Sequence, residues 1–320
     1  MAAPSTTHQF ITSGSALLDC VLGGGWPLGR IANIVGDKST GKSLLAIEAC
    51  ANFARQFPDG KIWYAETEAA FDTAYAESLG IPIDQVSFKR HLKTVENFYK
   101  HLSTKVQYCK DNKVPGLYVL DSLDALSDDA EADREIGTAS FGASKAKQLS
   151  EFFRRIADDI EEADITLFIV SQIRDNIGVS FGRKYKRSGG KALDFYASQV
   201  LYLAHMGVDK RTIKKIERAV GVKIKAKCDK NKIGLPLREC EFSIQFGFGV
   251  DDLIACLNWL EVVARLDDAG LTKEGAAKLA KQALDMDSNA YGREAKRIGD
   301  VARKVWNEIE TDFLPKRRKY

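Results

Sequence analysis

Eight consecutive residues, Gly36-Asp37-Lys38-Ser39-Thr40-Gly41-Lys42-Ser43, constrain this chain more than any other stretch. They follow the β-branched run 31–35 and open a helical pattern over 42–57. A G-x-x-x-x-G-K-S octet between a strand and a helix is a phosphate-binding loop. Its glycines let successive backbone N–H groups and the helix N-terminus converge on phosphate oxygens, where the helix dipole favours negative charge. Gly36, Asp37, Lys38, Ser39, Thr40, Gly41, Lys42 and Ser43 are therefore candidate nucleotide-binding residues. Lys42 pairs with the β- and γ-phosphates, and the Ser43 hydroxyl ligates Mg²⁺.

The rest of the chain supplies a matching frame. Runs at 31–35, 62–65, 117–121, 166–171 and 200–204 read as strands, and 42–57, 94–112 and 143–163 read as helices, the last with Leu149, Phe152, Phe153, Ile156 and Ile160 at helical spacing. That alternation predicts an α/β fold with a largely parallel central sheet flanked by helices. Runs at 222–228 and 241–246 look like added strands. After Gly249 the pattern is helical, with Leu253, Leu257, Leu260 and Ala264 on one stripe, so a boundary near 250 separates residues 1–250 from a small helical C-terminal domain, 251–320. There is no internal repeat.

An apolar run over 117–120 ends in Asp121, placed to hold the Mg²⁺ shell at the carboxyl end of its strand. A third carboxylate must orient the attacking water, and Glu66 and Glu68 follow the strand 62–65, which is expected beside the phosphate-loop strand. Asn231-Lys232-Ile233-Gly234 lacks the carboxylate of a guanine-reading element.

Composition narrows the setting. With 45% hydrophobic and 28% charged residues and no apolar run long enough to cross a bilayer, no membrane span is expected. Residues 1–9 lack a secretory pattern, so the chain is expected in the cytoplasm. Six scattered cysteines without C-x-x-C spacing and four separated histidines argue against zinc and a disulfide framework. The net charge of +3 is unevenly spread: 128–135 is acidic, whereas 183–232 is rich in Lys and Arg and can be either a solvated face or the footprint of a nucleic acid.

With these residues in view, the chain resembles the RecA recombinase family, including its phage members, over residues 10–250. Ile11-Thr12-Ser13-Gly14-Ser15, Leu18-Asp19 and Gly29-Arg30-Ile31 are similar to the family's lead-in to the phosphate loop. Residues 68–76 resemble its catalytic-glutamate segment, which implies Glu68 rather than Glu66 as the water-activating residue, Tyr75 stacked on adenine and Asp72 facing its amino group. Ser171-Gln172-Ile173-Arg174 resembles the strand end that carries the γ-phosphate sensor, Gln172.

The resemblance also implies two DNA-binding loops. Residues 135–142, with Ile136 and Phe141, are similar to the first. Residues 177–190 are similar to the second: Ile177 and Phe181 can sit against splayed bases, while Arg183, Lys184, Lys186 and Arg187, with Arg174 before them, neutralise phosphates. Residues 195–198 match the segment that follows, and Lys230 and Lys232 resemble the lysine pair that reaches a neighbour's ATP. Two departures stand out. The family places a helix and strand before the core, where only about ten residues stand here, and the chain ends in Pro315-Lys316-Arg317-Arg318-Lys319 where RecA has an acidic tail. That basic end can contact duplex DNA or be a weakly used tail.

What this implies is an ATPase using ATP and Mg²⁺, with a helical filament of its own copies on single-stranded DNA, pairing with homologous double-stranded DNA, and no membrane partner. A ring-forming RecA-core motor and an ATP-binding filament without strand exchange are the alternatives. Ring motors usually supply an arginine in trans, whereas this chain offers Lys230 and Lys232.

Overall fold

The computed structural model describes residues 9–67, 71–128, 143–175, 185–187 and 190–317. A two-stranded sheet, β1 (Phe10–Ile11) with β2 (Trp26–Pro27), frames α1 (Ala16–Leu22). Helix α1 starts where the Ser15 hydroxyl accepts the Leu18 N–H and stops at Gly23, whose φ of 80° ends the helix in the left-handed region.

The main sheet is built from β3 (Ile31–Gly36), β4 (Lys61–Glu66), β5 (Val86–Arg90), β6 (Gly116–Asp121), β7 (Ile165–Asp175), β8 (Tyr185–Arg187), β9 (Gln199–Ile213), β10 (Ile216–Asn231), β11 (Arg238–Gln245) and β12 (Gly249–Val250). Its order is β12-β11-β10-β9-β3-β7-β6-β4-β5, with β8 paired to β7. Strands β9, β3, β7, β6, β4 and β5 run parallel, and β10, β11 and β12 continue the sheet antiparallel.

The parallel strands are joined through α2 (Lys42–Gln56), α3 (Thr73–Ser78), α4 (Val95–Asn112), α5 (Ala143–Glu162) and α6 (Gly190–Tyr196). Helices α2, α4 and α5 lie where periodicity places them, and Thr94 caps α4 by accepting the Asn97 N–H. Two apolar layers result from period-2 alternation. Ala32 and Ile34, Leu117 and Val119, Phe168 and Val170, and Leu201 and Leu203 face α2. Ile31 and Val35, Tyr118 and Leu120, Leu167 and Ile169, and Val200 face α4 and α5. Burial on both faces explains why these strands read as continuous apolar runs.

One expectation is corrected: β4 does not lie beside the phosphate-loop strand β3, because β7 and β6 stand between them. Those two strands are apolar on both faces and take the centre of the sheet, whereas β4 begins with exposed Lys61 and adjoins β5, the edge strand with exposed Ser87, Lys89 and Arg90. Residues 185–187, read from sequence as loop, form β8 against β7. Strands β9 and β10 are also far longer than the runs at 200–204 and 222–228.

After β12 come α7 (Asp252–Val262), α8 (Lys273–Ala283) and α9 (Ser288–Phe313). Leu253, Leu257 and Leu260 of α7 and Ile298, Ala302 and Val305 of α9 join the same cluster as Leu17, Leu18 and Val21 of α1. Asp252 Oδ1 accepts the Ala16 N–H at 2.8 Å, and a bidentate Arg238–Glu310 pair ties β11 to α9. Among the described residues no helix is long and apolar enough to cross a membrane, and five of the six free cysteines are buried.

Candidate nucleotide site

The phosphate loop leaves the carboxyl end of β3 and enters α2. Ser39 and Gly41 hold φ of 57° and 85°, and Gly41 is the N-cap residue of α2. A Cβ on Gly41 would stand 2.2 Å from Ile244 Cδ1, and one on Gly36 would stand 2.6 Å from Thr40 Oγ1. A side chain at either position would meet the chain's own atoms, and the positive φ at Gly41 adds a backbone reason for glycine there. Inside the loop the Thr40 hydroxyl donates to the Asp37 carbonyl at 2.9 Å, Lys42 Nζ donates to the same carbonyl at 2.6 Å, and the Lys38 N–H donates to Asp37 Oδ1 at 2.7 Å.

A cleft beside this loop is lined by Ser43, Leu44, Ile47, Glu66, Phe71, Asp72, Tyr75 and Asp121. The sheet register builds it. Glu66 and Asp121 are Cα partners at the ends of β4 and β6, and Gln172 is the partner of Gly36. Asp72 caps α3 by accepting the Tyr75 N–H at 3.1 Å, which places its carboxylate beside the half-exposed Tyr75 ring. The set fits the group that the sequence implies. Ser43 and Asp121 supply hard oxygen donors for Mg²⁺, the glycine-lined turn supplies N–H groups for phosphate, and Leu44, Ile47 and Phe71 supply an apolar floor beside Tyr75.

Sequence reasoning missed the residues that hold Asp121. The Tyr64 hydroxyl donates to Asp121 Oδ2 at 2.8 Å. Burial and the Asp121 charge push the Tyr64 phenol well above its ordinary pKa, so it remains a donor. The Thr67 hydroxyl receives the Ser122 N–H at 2.8 Å, and Asp124 Oδ2 receives the Gln172 N–H at 2.7 Å. The signal for Tyr64 was only its place in period 2 on the α2 face of β4, shared with core residues.

Lys230 and Lys232 lie elsewhere. Lys230 is the Cα partner of Val200, toward the amino end of the parallel strands, whereas the phosphate loop leaves where Gly36 meets Leu203. Lys230 Nζ donates to the Asp194 and Phe195 carbonyls, and Lys232 Nζ donates to Phe195 O at 2.9 Å and stands 5.4 Å from the Phe195 ring. Both ammonium groups sit at the C-terminal carbonyls of α6, turned away from their own chain's cleft. Glu68, Ile136, Phe141, Ile177, Phe181, Arg183 and Lys184 lie outside the described residues, and Arg174, Lys186 and Arg187 are placed by backbone in the β7–β8 pair.

The RecA N-terminal domain family model matches residues 3–251. "DNA repair protein recA homolog 1, chloroplastic" of Arabidopsis thaliana is 34% identical over 260 residues, covering 80% of this chain and 57% of that protein. "Protein RecA" of a Synechococcus strain is 34% identical over 253 residues, 79% of this chain and 64% of the relative. "Protein RecA" of Prochlorococcus marinus is 30% identical over 320 residues, 92% of this chain and 81% of the relative. The chain thus spans less than two thirds of the length of the first two. With the α/β sheet, the phosphate loop at the end of β3 and a family match over most of its length, the chain belongs to the RecA family.

Proposed function

We propose that this protein is a DNA-dependent ATPase and recombinase that assembles as a helical filament on single-stranded DNA and pairs it with a homologous duplex. The observation that carries the reading is the separation of Lys230 and Lys232 from the phosphate loop of their own chain. A nucleotide held by one subunit gains those charges only from a neighbour, which makes assembly depend on the nucleotide.

In this reading the loop N–H groups and Lys42 hold the phosphates, Tyr75 packs on adenine and Asp72 meets its amino group. Ser43 and Asp121, with Tyr64 fixing the carboxylate, hold Mg²⁺. When bound, the metal neutralises charge on the β- and γ-phosphates. Glu68 polarises the attacking water, and Gln172, anchored by Asp124, reports the γ-phosphate to the chain that continues from β7. Ile136, Phe141, Ile177 and Phe181 meet bases, while Arg174, Arg183, Lys184, Lys186 and Arg187 neutralise phosphates. Residues 251–320 form a small helical domain on this core. The same reading keeps the protein in the cytoplasm, where its thiols stay reduced.

The test mixes two variants. Lys230→Ala/Lys232→Ala should bind ATP as a monomer yet lose DNA-stimulated hydrolysis, and Lys42→Ala should lose it as well. Together they should recover part of it, because a Lys42→Ala subunit still donates its lysines to a neighbour with an intact loop. No recovery in a co-assembled mixture would overturn the shared site. In parallel, Glu68→Gln should trap ATP-bound filaments. If Glu66→Gln does so instead, the water-activating role moves to Glu66.

A further inference from the structure

The last long strand of the sheet is β11, and most of its outer edge has no strand beside it among the described residues. Strand β12 covers only Ile244 and Gln245, and the Asp251 N–H takes the Ser243 carbonyl at 2.9 Å. In an antiparallel ladder successive residues bond alternately to the two sides, and the register between β10 and β11 runs without a shift from Gln245 to Arg238. The Phe246 N–H bonds the Val220 carbonyl on the β10 side, whereas Ser243 O turns outward. Glu241 and Glu239 therefore also aim their backbone N–H and C=O groups at the open edge.

A groove of about 390 Å³ follows this edge, with α7 as its far wall. That wall is Ile254, Asn258, Trp259 and Val262, spaced along one helix face, and Val262 is left 83% exposed. On the outward face of the sheet the charges fall in rows. Lys223, Lys225 and Lys227 of β10 are the Cα partners of Ser243, Glu241 and Glu239 of β11. Lys225 Nζ reaches Glu239 at 2.6 Å, and Glu241 has no ion pair among the described residues. A basic row is thus followed by an acidic one, and the acidic row borders the open edge.

We propose that the β11 edge and the α7 groove dock a partner protein through an extended segment that alternates cationic and apolar side chains. The backbone of Glu239 and Glu241 pairs with the incoming strand, as exposed sheet edges do when they take up a peptide. Period 2 sends one set of the segment's side chains beside Glu239 and Glu241, where opposite charges on neighbouring strands stabilise and like charges destabilise. The other set enters the groove against Ile254, Trp259 and Val262. A second copy of the chain fits this edge poorly, because antiparallel pairing of β11 with itself sets its own carboxylates against each other. None of these residues belongs to the nucleotide cleft or to the Lys230 and Lys232 pair, so the site is independent of the recombinase reading.

The full chain is titrated, without nucleotide, against two short labelled peptides followed by anisotropy: one alternates lysine with valine, the other glutamate with valine. Hydrogen exchange of the peptide-bound chain reports where the peptide lies. The lysine–valine peptide should bind and slow amide exchange at residues 239–241, and the glutamate–valine peptide should bind ~10-fold more weakly. Glu241→Gln should weaken the lysine–valine peptide ~3-fold, and Val262→Ser ~10-fold. Glu241→Pro removes an edge-facing N–H and leaves the ladder to β10 bonded, so it should abolish binding beyond the loss in Glu241→Gln. Thermal melts check each variant, and if Glu241→Pro does not fold, the two substitutions at exposed side chains decide. No binding of the lysine–valine peptide, equal binding of both peptides, unchanged affinity in Glu241→Gln and Val262→Ser, or protection confined to other residues overturns the proposal. Self-association of the peptide-free chain in sedimentation that Val262→Ser abolishes would assign the groove to a second copy and overturn it equally.

Discussion

Glu48 shows how one side chain couples the nucleotide helix to the strand that leads into the C-terminal helices. Its Oε1 accepts the Val250 N–H at 2.9 Å, and its Oε2 is buried with no hydrogen-bond partner among the described residues. Burial pushes the carboxyl from its ordinary 4.5 up to about 7. The folded protein thus keeps a proton that the unfolded chain releases above about pH 4.5. This contribution is complete below that pH and is lost as pH rises through 7. Glu48→Gln keeps an acceptor for Val250 and does not titrate. Urea unfolding from pH 4 to 8 should show the variant equal to the parent at pH 4 and more stable by up to ~3 kcal/mol at pH 8. Parallel profiles would remove Glu48 from this role. At this scale the octet 36–43 and Asp121 were legible, because glycine, lysine and hydroxyl spacing follows from phosphate geometry. Tyr64 and Thr67 were not, since a buried tyrosine and a loop threonine read alike whether or not a carboxylate stands beside them.

Elements followed the periodicity where one face is buried. Helix α5 has Phe153 fully buried, in edge contact with Phe152 and stacked on Tyr196. Phe153→Ala should cost ~3–5 kcal/mol in chemical denaturation, through lost burial and the cavity left behind. A loss under ~1 kcal/mol would mean that the α5 layer repacks. The β9–β10 arm escaped sequence reading for a definite reason. Its turn, Ile213-Lys214-Lys215-Ile216, has neither glycine nor asparagine, although both lysines adopt positive φ. Two-residue hairpins of that geometry favour Asn-Gly. Lys214→Asn/Lys215→Gly should therefore stabilise the protein by ~0.5–1 kcal/mol in chemical denaturation. No gain in stability would show that the positive φ at the two lysines costs the arm little.

For the whole molecule, the helices after residue 250 share a core with the chain's beginning. Leu253 and Leu257 of α7 and Ile298 and Val305 of α9 are buried in the cluster that holds α1, and Arg303 approaches Asp19 at 3.7 Å. The division near 250 is therefore proposed as one of function, and a chain ended at Val250 should lose its cooperative calorimetric transition, because α1 and β11 would face water. An unchanged transition in the shortened chain would show instead that residues 251–320 fold apart. The sequence by itself determined the phosphate loop, the carboxylate at the end of β6 and the alternation of strands and helices. These are local: backbone conformation at glycines and the periods of burial are written in neighbouring residues. Only the tertiary structure decided that β6 and β7 separate β4 from β3, that Lys230 and Lys232 face away from their own chain's cleft, and that an arm ending in Ile213 and Ile216 stands clear of the sheet. Those are matters of strand order and register, set by which strands bury both faces and by pairings between residues far apart in the chain, and no local period records them.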